Sequence, residues 1–300
     1  MKKTTNGNFI YMKASLELSL RRLRREGRRL IQIVRYRDWA MHSQPILFCN
    51  SFPKSGTHLL TQVLSGFTKL APVVESGLPA VVTYDSSTGE QRSEADIIND
   101  LNHFKPGDIG YGHLHATAAI TAWLCRDGVI PYFILRDPRD VVVSHVHYIT
   151  EMAPDHIHHQ YYTQDLQTFE DRLKASILGR QEMGGLFPSI RERFMPYLPW
   201  LERKEVLTLH YEDFLQNRNL ILRRVLEHAL ERGFKLSKPM LTDQAVEILS
   251  SSIDPKRSPT FRQGKAGGWK EAFTPSMKQL FKEITGDLLI QLGYEKDDQW

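Results

Sequence analysis

The stretch ILFCNSFPKSGTHLL, residues 46–60, decides the reading of this chain. It begins as a short apolar run of strand length, passes through a Pro-Lys-Ser-Gly-Thr turn and continues into a helical pattern of apolar residues. A strand, a small-residue turn and a helix start together aim several unpaired backbone N–H groups, and the positive end of a helix dipole, at one point. Such a point suits a phosphate. Lys54 adds a mobile cation, Gly56 permits close backbone approach and Thr57 brings a hydroxyl at the first turn. The turn is not a Walker A loop, because GxxxxGK[ST] places its lysine after the second glycine whereas Lys54 precedes the only one.

Outward from that loop, apolar runs at Pro45 to Phe52, Ile109 to His113, Val129 to Leu135 and Val206 to Tyr211 read as strands. Helical patterns lie at about Thr57 to Leu70, Pro138 to Ile149, Phe214 to Arg232 and Pro275 to Leu292. The alternation predicts an α/β fold: a single P-loop-like domain with a central parallel β-sheet flanked by helices on both faces. The polar stretch Thr83 to Pro106 reads as a surface excursion with a short helix near Glu94 to Leu101.

The chain has 300 residues, enough for one large core and an appendage. Residues 1–40 hold 11 Lys and Arg against 3 Asp and Glu, while residues 41–300 hold 28 against 32. The basicity therefore belongs to an N-terminal arm, residues 1–40, and not to the domain expected at 41–300. From Ser15 to Tyr36 the arm spaces Leu16, Leu20, Leu23, Leu30, Ile31 and Val34 as one helical face, with arginines on the remainder. Two readings stand for residues 15–36: a peripheral contact with an anionic membrane or acidic partner, or a docking helix with solvated arginines. Gly27 weakens the expectation of one uninterrupted helix. Two cysteines, Cys49 and Cys125, favour a reducing cytoplasm, and no signal peptide, transmembrane helix or nucleic-acid partner is expected.

Two further segments extend the phosphate-loop reading. FILRDPRDVVVSHVHY, residues 133–148, is a strand that ends in Arg136 and is followed eight residues later by Ser144. FRQGKAGGWKEAFT, residues 261–274, is Gly-rich and basic. With the loop at 46–60, these segments resemble, in order, the three nucleotide-binding motifs of the cytosolic-type sulfotransferases, which use 3′-phosphoadenosine 5′-phosphosulfate (PAPS) as co-substrate. The resemblance implies that Lys54, Ser55, Gly56, Thr57 and His58 meet the 5′-phosphosulfate. It implies that Arg136, Ser144, Arg262, Gln263 and Gly264 surround the 3′-phosphate, donors of the type a compact dianion needs. The bland alternative for Arg136 is a pair with Asp137 or Asp140. Tyr211, in LTLHYEDF, matches a tyrosine near the adenosine, or else is a packed strand tyrosine; Ser251 matches an adenine-cradling segment more loosely.

Sulfuryl transfer needs a base for the acceptor proton and a cation for the leaving phosphate. By resemblance the base is His113, in IGYGHLH, and Lys54 is the cation. An imidazole accepts a proton at neutral pH without a large pKa shift. His115 is the rival base, and either histidine could instead be a bonded core residue. The chain also departs from the family: Leu59 stands for a stacking tryptophan, Gln263 for a lysine, and Pro275 and Gln279 for a Val and a Glu of a dimer motif. The cluster DHIHHQYY, residues 155–162, lacks metal-type spacing and reads as an exposed acceptor-side loop. No metal is expected. The acceptor is expected to be a small molecule, lipid or glycan, and the resemblance implies a pocket for it built from the loops Val73 to His103 and Thr150 to Gln167. The alternatives are a nucleotide-dependent P-loop kinase and a catalytically silent, membrane-attached nucleotide-binding protein.

Overall fold

The computed structural model describes residues 4–37, 39–85, 87–180, 187–258 and 264–300, with side chains from Leu16 onward except at 39 and 40. The chain starts with helix α1 (Thr4–Tyr36), then enters β1 (Ile46–Ser51), α2 (Thr57–Gly66), β2 (Val74–Glu75), β3 (Val81–Val82) and α3 (Glu94–Leu101). It continues through β4 (Asp108–His113), α4 (Ala118–Cys125), β5 (Val129–Leu135), α5 (Pro138–His147), α6 (Phe169–Leu178) and α7 (Ile190–Phe194). Then follow β6 (Leu207–His210), α8 (Tyr211–Gln216), α9 (Arg218–Glu231), α10 (Thr242–Ser250), α11 (Trp269–Ala272), α12 (Pro275–Thr285) and α13 (Leu288–Gln291).

The sheet order is β2-β4-β1-β5-β6, with β3 paired to β4, and all these pairs are parallel. β1 and β5 are buried along their whole lengths, as strands covered on both faces must be. Their side chains alternate between two cores. Leu47, Cys49, Ile130, Tyr132 and Ile134 pack on the side of α2, α9 and α10; Ile46, Phe48, Phe133 and Leu135 pack on the side of α4 to α7 and α12. This is the expected α/β domain. Pro131 is tolerated in β5 because β6 begins opposite Tyr132, and the Pro131 carbonyl on that side accepts from His228 instead. Since β1 lies between β4 and β5, the chain leaves it at the point where the strand order reverses, where α/β sheets hold ligands.

Two long helical expectations resolve into pairs. The 214–232 pattern is α8 and α9, broken at Asn217, and the C-terminal one is α12 and α13, broken at Gly286 with φ 54°. The two-residue strands β2 and β3 are too short to show any alternation in sequence.

The arm departs furthest from expectation. α1 runs without a break through Gly27, and the side bearing Arg25, Arg28 and Arg29, with Leu18, faces the domain while the stripe from Leu16 to Val34 does not. Arg25 and Arg29 are buried and straddle the fully buried carboxylate of Asp108, at 3.1 Å and 3.0 Å. Each also donates to a carbonyl, Arg25 to His103 at 2.7 Å and Arg29 to Pro106 at 2.9 Å. Arg28 donates to Glu75 and Ser76 carbonyls on the open edge of β2, which an unpaired edge strand leaves available. The arginines of this face are therefore consumed in docking rather than solvated.

Candidate active site

The sequence builds the centre of the site at the C-terminal end of β1. Phe52 to Gly56 forms a tight turn: Ser55 N donates to the Phe52 carbonyl, and both Lys54 (φ 68°) and Gly56 (φ 99°) adopt left-handed backbone. Gly56 needs that freedom doubly, because a Cβ there would lie 2.6 Å from Cδ2 of Tyr211. No side chain caps α2, so its first N–H groups stay available to an anion. Ser55 is buried with its Oγ unpartnered.

Lys54 is desolvated. Its ammonium lies 3.7 Å from the centroid of the Tyr148 ring. Burial, then the nearby Arg136 charge, pulls its pKa down to about 8. The Lys54 ammonium, the unpartnered Ser55 hydroxyl and the uncapped amides of α2 together form a site suited to an anion.

His113 ends β4 beside this loop. Its Nδ1 lies 3.0 Å from both the carbonyl oxygen and Oγ of Ser51, and Ser51 Oγ in turn lies 2.8 Å from Thr57 Oγ1. A carbonyl can only accept, so Nδ1 carries the proton and Nε2 keeps its lone pair. Burial, then the His58 and Lys54 charges, lowers the His113 pKa against the raising effect of the Ser51 bond. Asn50 fixes the strand end by accepting from Leu114 N at 2.8 Å and donating to the Leu114 carbonyl at 3.0 Å. His58, in the first turn of α2, is half-buried and lowered in pKa by burial and by Lys54.

His115 lies beyond the strand end, in a different environment. Its ring meets Tyr84 and Tyr197 edge-on, with centroids at 5.5 Å and 4.9 Å, and burial alone lowers its pKa to about 4. The structure thus brings His113, not His115, to Ser51 and Thr57 at the loop.

The second half of the site gathers around Asp140. Arg136 leaves β5, pairs with Asp140 at 3.2 Å, donates to the Lys265 carbonyl at 2.9 Å and keeps a buried Nε without a partner. Asp140 also accepts from the backbone N–H groups of Gly267 and Trp269, at 2.7 Å and 3.0 Å. One carboxylate therefore ties the Gly-rich segment to the end of β5. Ser144 follows Asp140 by one helical turn on the same face of α5, half-buried. Tyr211 opens α8 with its ring against Gly56 and under the Arg136 guanidinium, at 4.7 Å, so it joins the two halves. Arg139, by contrast, is a structural clamp: it binds Asp137 and Glu295 and stacks on Trp269 and Trp300.

Gly264 has φ 61° and precedes the carbonyl that holds Arg136; Arg262 and Gln263 lie outside the described residues. Ser251 stands apart, exposed at the end of α10, with its hydroxyl donating to the Ile248 carbonyl. Three residues on, the Asp254 backbone is tied to the side-chain amide of Gln62 in α2, which donates to its carbonyl and accepts from its N–H.

The 155–162 cluster is not the exposed loop expected. His158 and Tyr162 are buried; His158 packs on Phe187 with ring centroids 4.3 Å apart, and Tyr162 OH meets Ser176 Oγ at 2.8 Å. His145 Nδ1 shares that Ser176 hydroxyl at 3.0 Å, and burial lowers His156 and His158 to about 4. Tyr162 in the core and Tyr161 packed against it hold the segment inward, so the imidazoles serve as packed rings. The Arg136–Asp140 pair weighed from the sequence is present, and Asp140 adds the two backbone bonds to the Gly-rich segment. Sequence reasoning passed over Ser51 and Asn50, although the signal was present: polar residues ending a buried strand require partners.

Three comparisons complete the description. A family model described as "Sulfotransferase domain" matches residues 132–293. Among curated proteins, sulfotransferase 1 family member D1 of Mus musculus is 23% identical over 266 residues, covering 79% of this chain and 81% of that one. Among solved structures, mouse sulfotransferase SULT7A1 complexed with PAP superposes with a TM-score of 0.55 at 18% identity, covering 86% of this chain and 92% of that one. A retinol dehydratase in complex with retinol and PAP gives 0.54 at 17%, covering 83% and 84%.

Proposed function

The chain belongs to the sulfotransferase domain family and is a PAPS-dependent sulfotransferase, and from that premise we propose that His113 is its general base and Lys54 the cation at the leaving phosphate. The observation that carries this reading is the Nδ1 bond of His113 to the Ser51 carbonyl, 3.0 Å, which leaves a basic Nε2 beside the phosphate loop.

The residues present fit the donor. The unpartnered Ser55 Oγ and Arg136 Nε, the uncapped start of α2 and the Lys54 ammonium all call for an anion. We assign Lys54, Ser55, Gly56, Thr57 and His58 to the phosphosulfate, and Arg136, Ser144 and Gly264, with Arg262 and Gln263, to the 3′-phosphate. Tyr211 supports the nucleotide where it bridges Gly56 and Arg136. Ser251 is retained only as a contact near the adenine. When bound, PAPS supplies the sulfuryl group and departs as 3′-phosphoadenosine 5′-phosphate (PAP).

The chain's own groups then have these tasks. Ser51 holds the imidazole in the tautomer that can accept the acceptor's hydroxyl proton at Nε2. Lys54, cationic below about pH 8 and shielded by Tyr148, neutralises charge developing on the phosphate side. None of these tasks needs a metal ion. The acceptor hydroxyl, or less favourably an amine, belongs to a small molecule with an apolar body, a reading supported by the chain of ring contacts Phe52–Tyr197–His115–Tyr84, which starts one residue after Ser51, the partner of His113. Retinol, bound by one structural relative, has that character.

A helix long and apolar enough to cross a membrane does not occur among the described residues. We place the enzyme in the cytoplasm. The test is PAP calorimetry with single-turnover transfer on His113→Ala: PAP affinity stays within threefold while transfer falls by about 10²- to 10⁴-fold. Transfer within a few-fold of wild type, with His115→Ala the more damaging change, sinks the assignment.

A further inference from the structure

α1 is amphipathic in the reverse sense of an ordinary docking helix. Its arginine face is spent on the domain, through Asp108 and the carbonyls of residues 75, 76, 103 and 106. Its apolar face is left in solvent: Leu16, Leu20, Leu23, Leu30, Ile31 and Val34 are between 45% and 70% exposed. At about 1.5 Å per residue, the stripe from Leu16 to Val34 is roughly 27 Å long. A continuous exposed apolar stripe of this length marks an interaction surface.

The charges beside the stripe choose its partner. Arg24, Arg35 and Arg37 are exposed along it. The described acids of the arm are already matched, Glu17 by Arg21 at 2.6 Å and Glu26 by Lys105 at 2.9 Å. Between the helix and Gly77 lies an open cleft of about 270 Å³, lined by Glu17, Leu20, Arg21, Arg24 and Arg28, in which Arg21 is held by Glu17 and the Gly77 carbonyl and Arg28 by the Glu75 and Ser76 carbonyls, leaving Arg24 exposed. It is a basic recess beside an apolar ridge. A second copy of the chain fits less well, because its flanks would set arginine against arginine. Its knobs would also meet a gap at Gly27, which sits in the middle of the seam with nothing within 4 Å of where a Cβ would be. A fluid apolar surface with anionic headgroups satisfies both features.

We propose that α1 seats the enzyme on an anionic membrane surface, with the leucine stripe in the acyl boundary and anionic headgroups against the exposed Arg24, Arg35 and Arg37 beside it. The domain stays docked through the opposite face of the same helix, so the catalytic unit is held rigidly at the membrane rather than on a tether.

The test is flotation of the full chain with phosphatidylcholine vesicles containing or lacking phosphatidylserine, at low and high salt, beside sedimentation without lipid. Wild type is expected to float only with phosphatidylserine and to be released by high salt. The triple change Leu20→Asp, Leu23→Asp and Leu30→Asp is expected to lose at least tenfold in bound fraction with PAP affinity unchanged. Arg24→Ala is expected to weaken binding about fivefold, the equivalent of about 1 kcal/mol per surface cation. Failure of wild type to float, or equal flotation of the triple variant, overturns the proposal. So does a concentration-dependent dimer, abolished by the triple change, in a protein that binds no vesicles; that result gives the stripe to a second copy.

Discussion

Replacing Gly56 by alanine adds one methyl group at the narrowest point of the phosphate loop. Two costs follow from the geometry. The residue holds φ 99° and ψ 25°, a conformation that costs an L-residue about 1–3 kcal/mol. The new Cβ would also lie 2.6 Å from Cδ2 of Tyr211 and 3.3 Å from Cδ1 of Ile134, so the tyrosine ring must move. In the free protein the loop can relax away from both penalties, and they are then exacted when the nucleotide requires the loop in place. With about 2–3 kcal/mol at stake, PAP affinity should fall about 30- to 150-fold, each 1.4 kcal/mol being about tenfold. Calorimetric titration of PAP into wild type and Gly56→Ala reads this directly, and denaturant midpoints establish that both are folded. An affinity within threefold of wild type in a folded variant refutes the reasoning, since the loop would then not need this backbone to hold its anion.

Other outcomes follow from the same geometry. The His113 pKa is lowered from its ordinary 6.5, so the base stays unprotonated at neutral pH and the acid limb of kcat/KM should lie below 6.5. Lys54 loses its charge above about pH 8, so activity should fall there, and Lys54→Arg should move that alkaline limb upward even if the rate drops; a limb that does not move contradicts the role. Asp140→Asn removes the carboxylate that ties Arg136 to the Gly267 and Trp269 amides, and PAP affinity should fall about tenfold with little change in the pH profile. Asp108→Asn leaves Arg25 and Arg29 buried without their counter-ion, which costs about 3–5 kcal/mol; denaturation should show that loss or, if the arm releases first, proteolytic cleavage within α1.

The core of this enzyme was legible in its sequence because its strands are short apolar runs punctuated by glycine and proline. Val129 to Leu135 is a strand with the boundaries its apolar run implies, and the Glu94 to Leu101 helix is likewise where its pattern lies. The phosphate loop was legible because Lys54, Gly56 and Thr57 stand at a strand-to-helix junction. Periodicity could divide α1 into two faces but could not say which one docks. That depended on Asp108 and on carbonyls brought together from residues 75 to 106, none of them local to the arm. The inward packing of the 155–162 histidines depended in the same way on Phe187 and Ser176, remote partners. Asp140 was legible as an acid one turn after Arg136, but its grip on Gly267 and Trp269 spans 127 and 129 residues of sequence and appears only in three dimensions.

The most direct test of the account is single-turnover transfer from radiolabelled PAPS to a panel of apolar hydroxyl compounds, run on wild type, His113→Ala and Lys54→Ala at neutral pH. The account predicts stoichiometric PAP and a sulfate ester from wild type, with transfer reduced by at least two orders of magnitude in both variants. Wild-type rates in His113→Ala, or a wild-type protein that neither binds PAP nor transfers label to any hydroxyl, would contradict it.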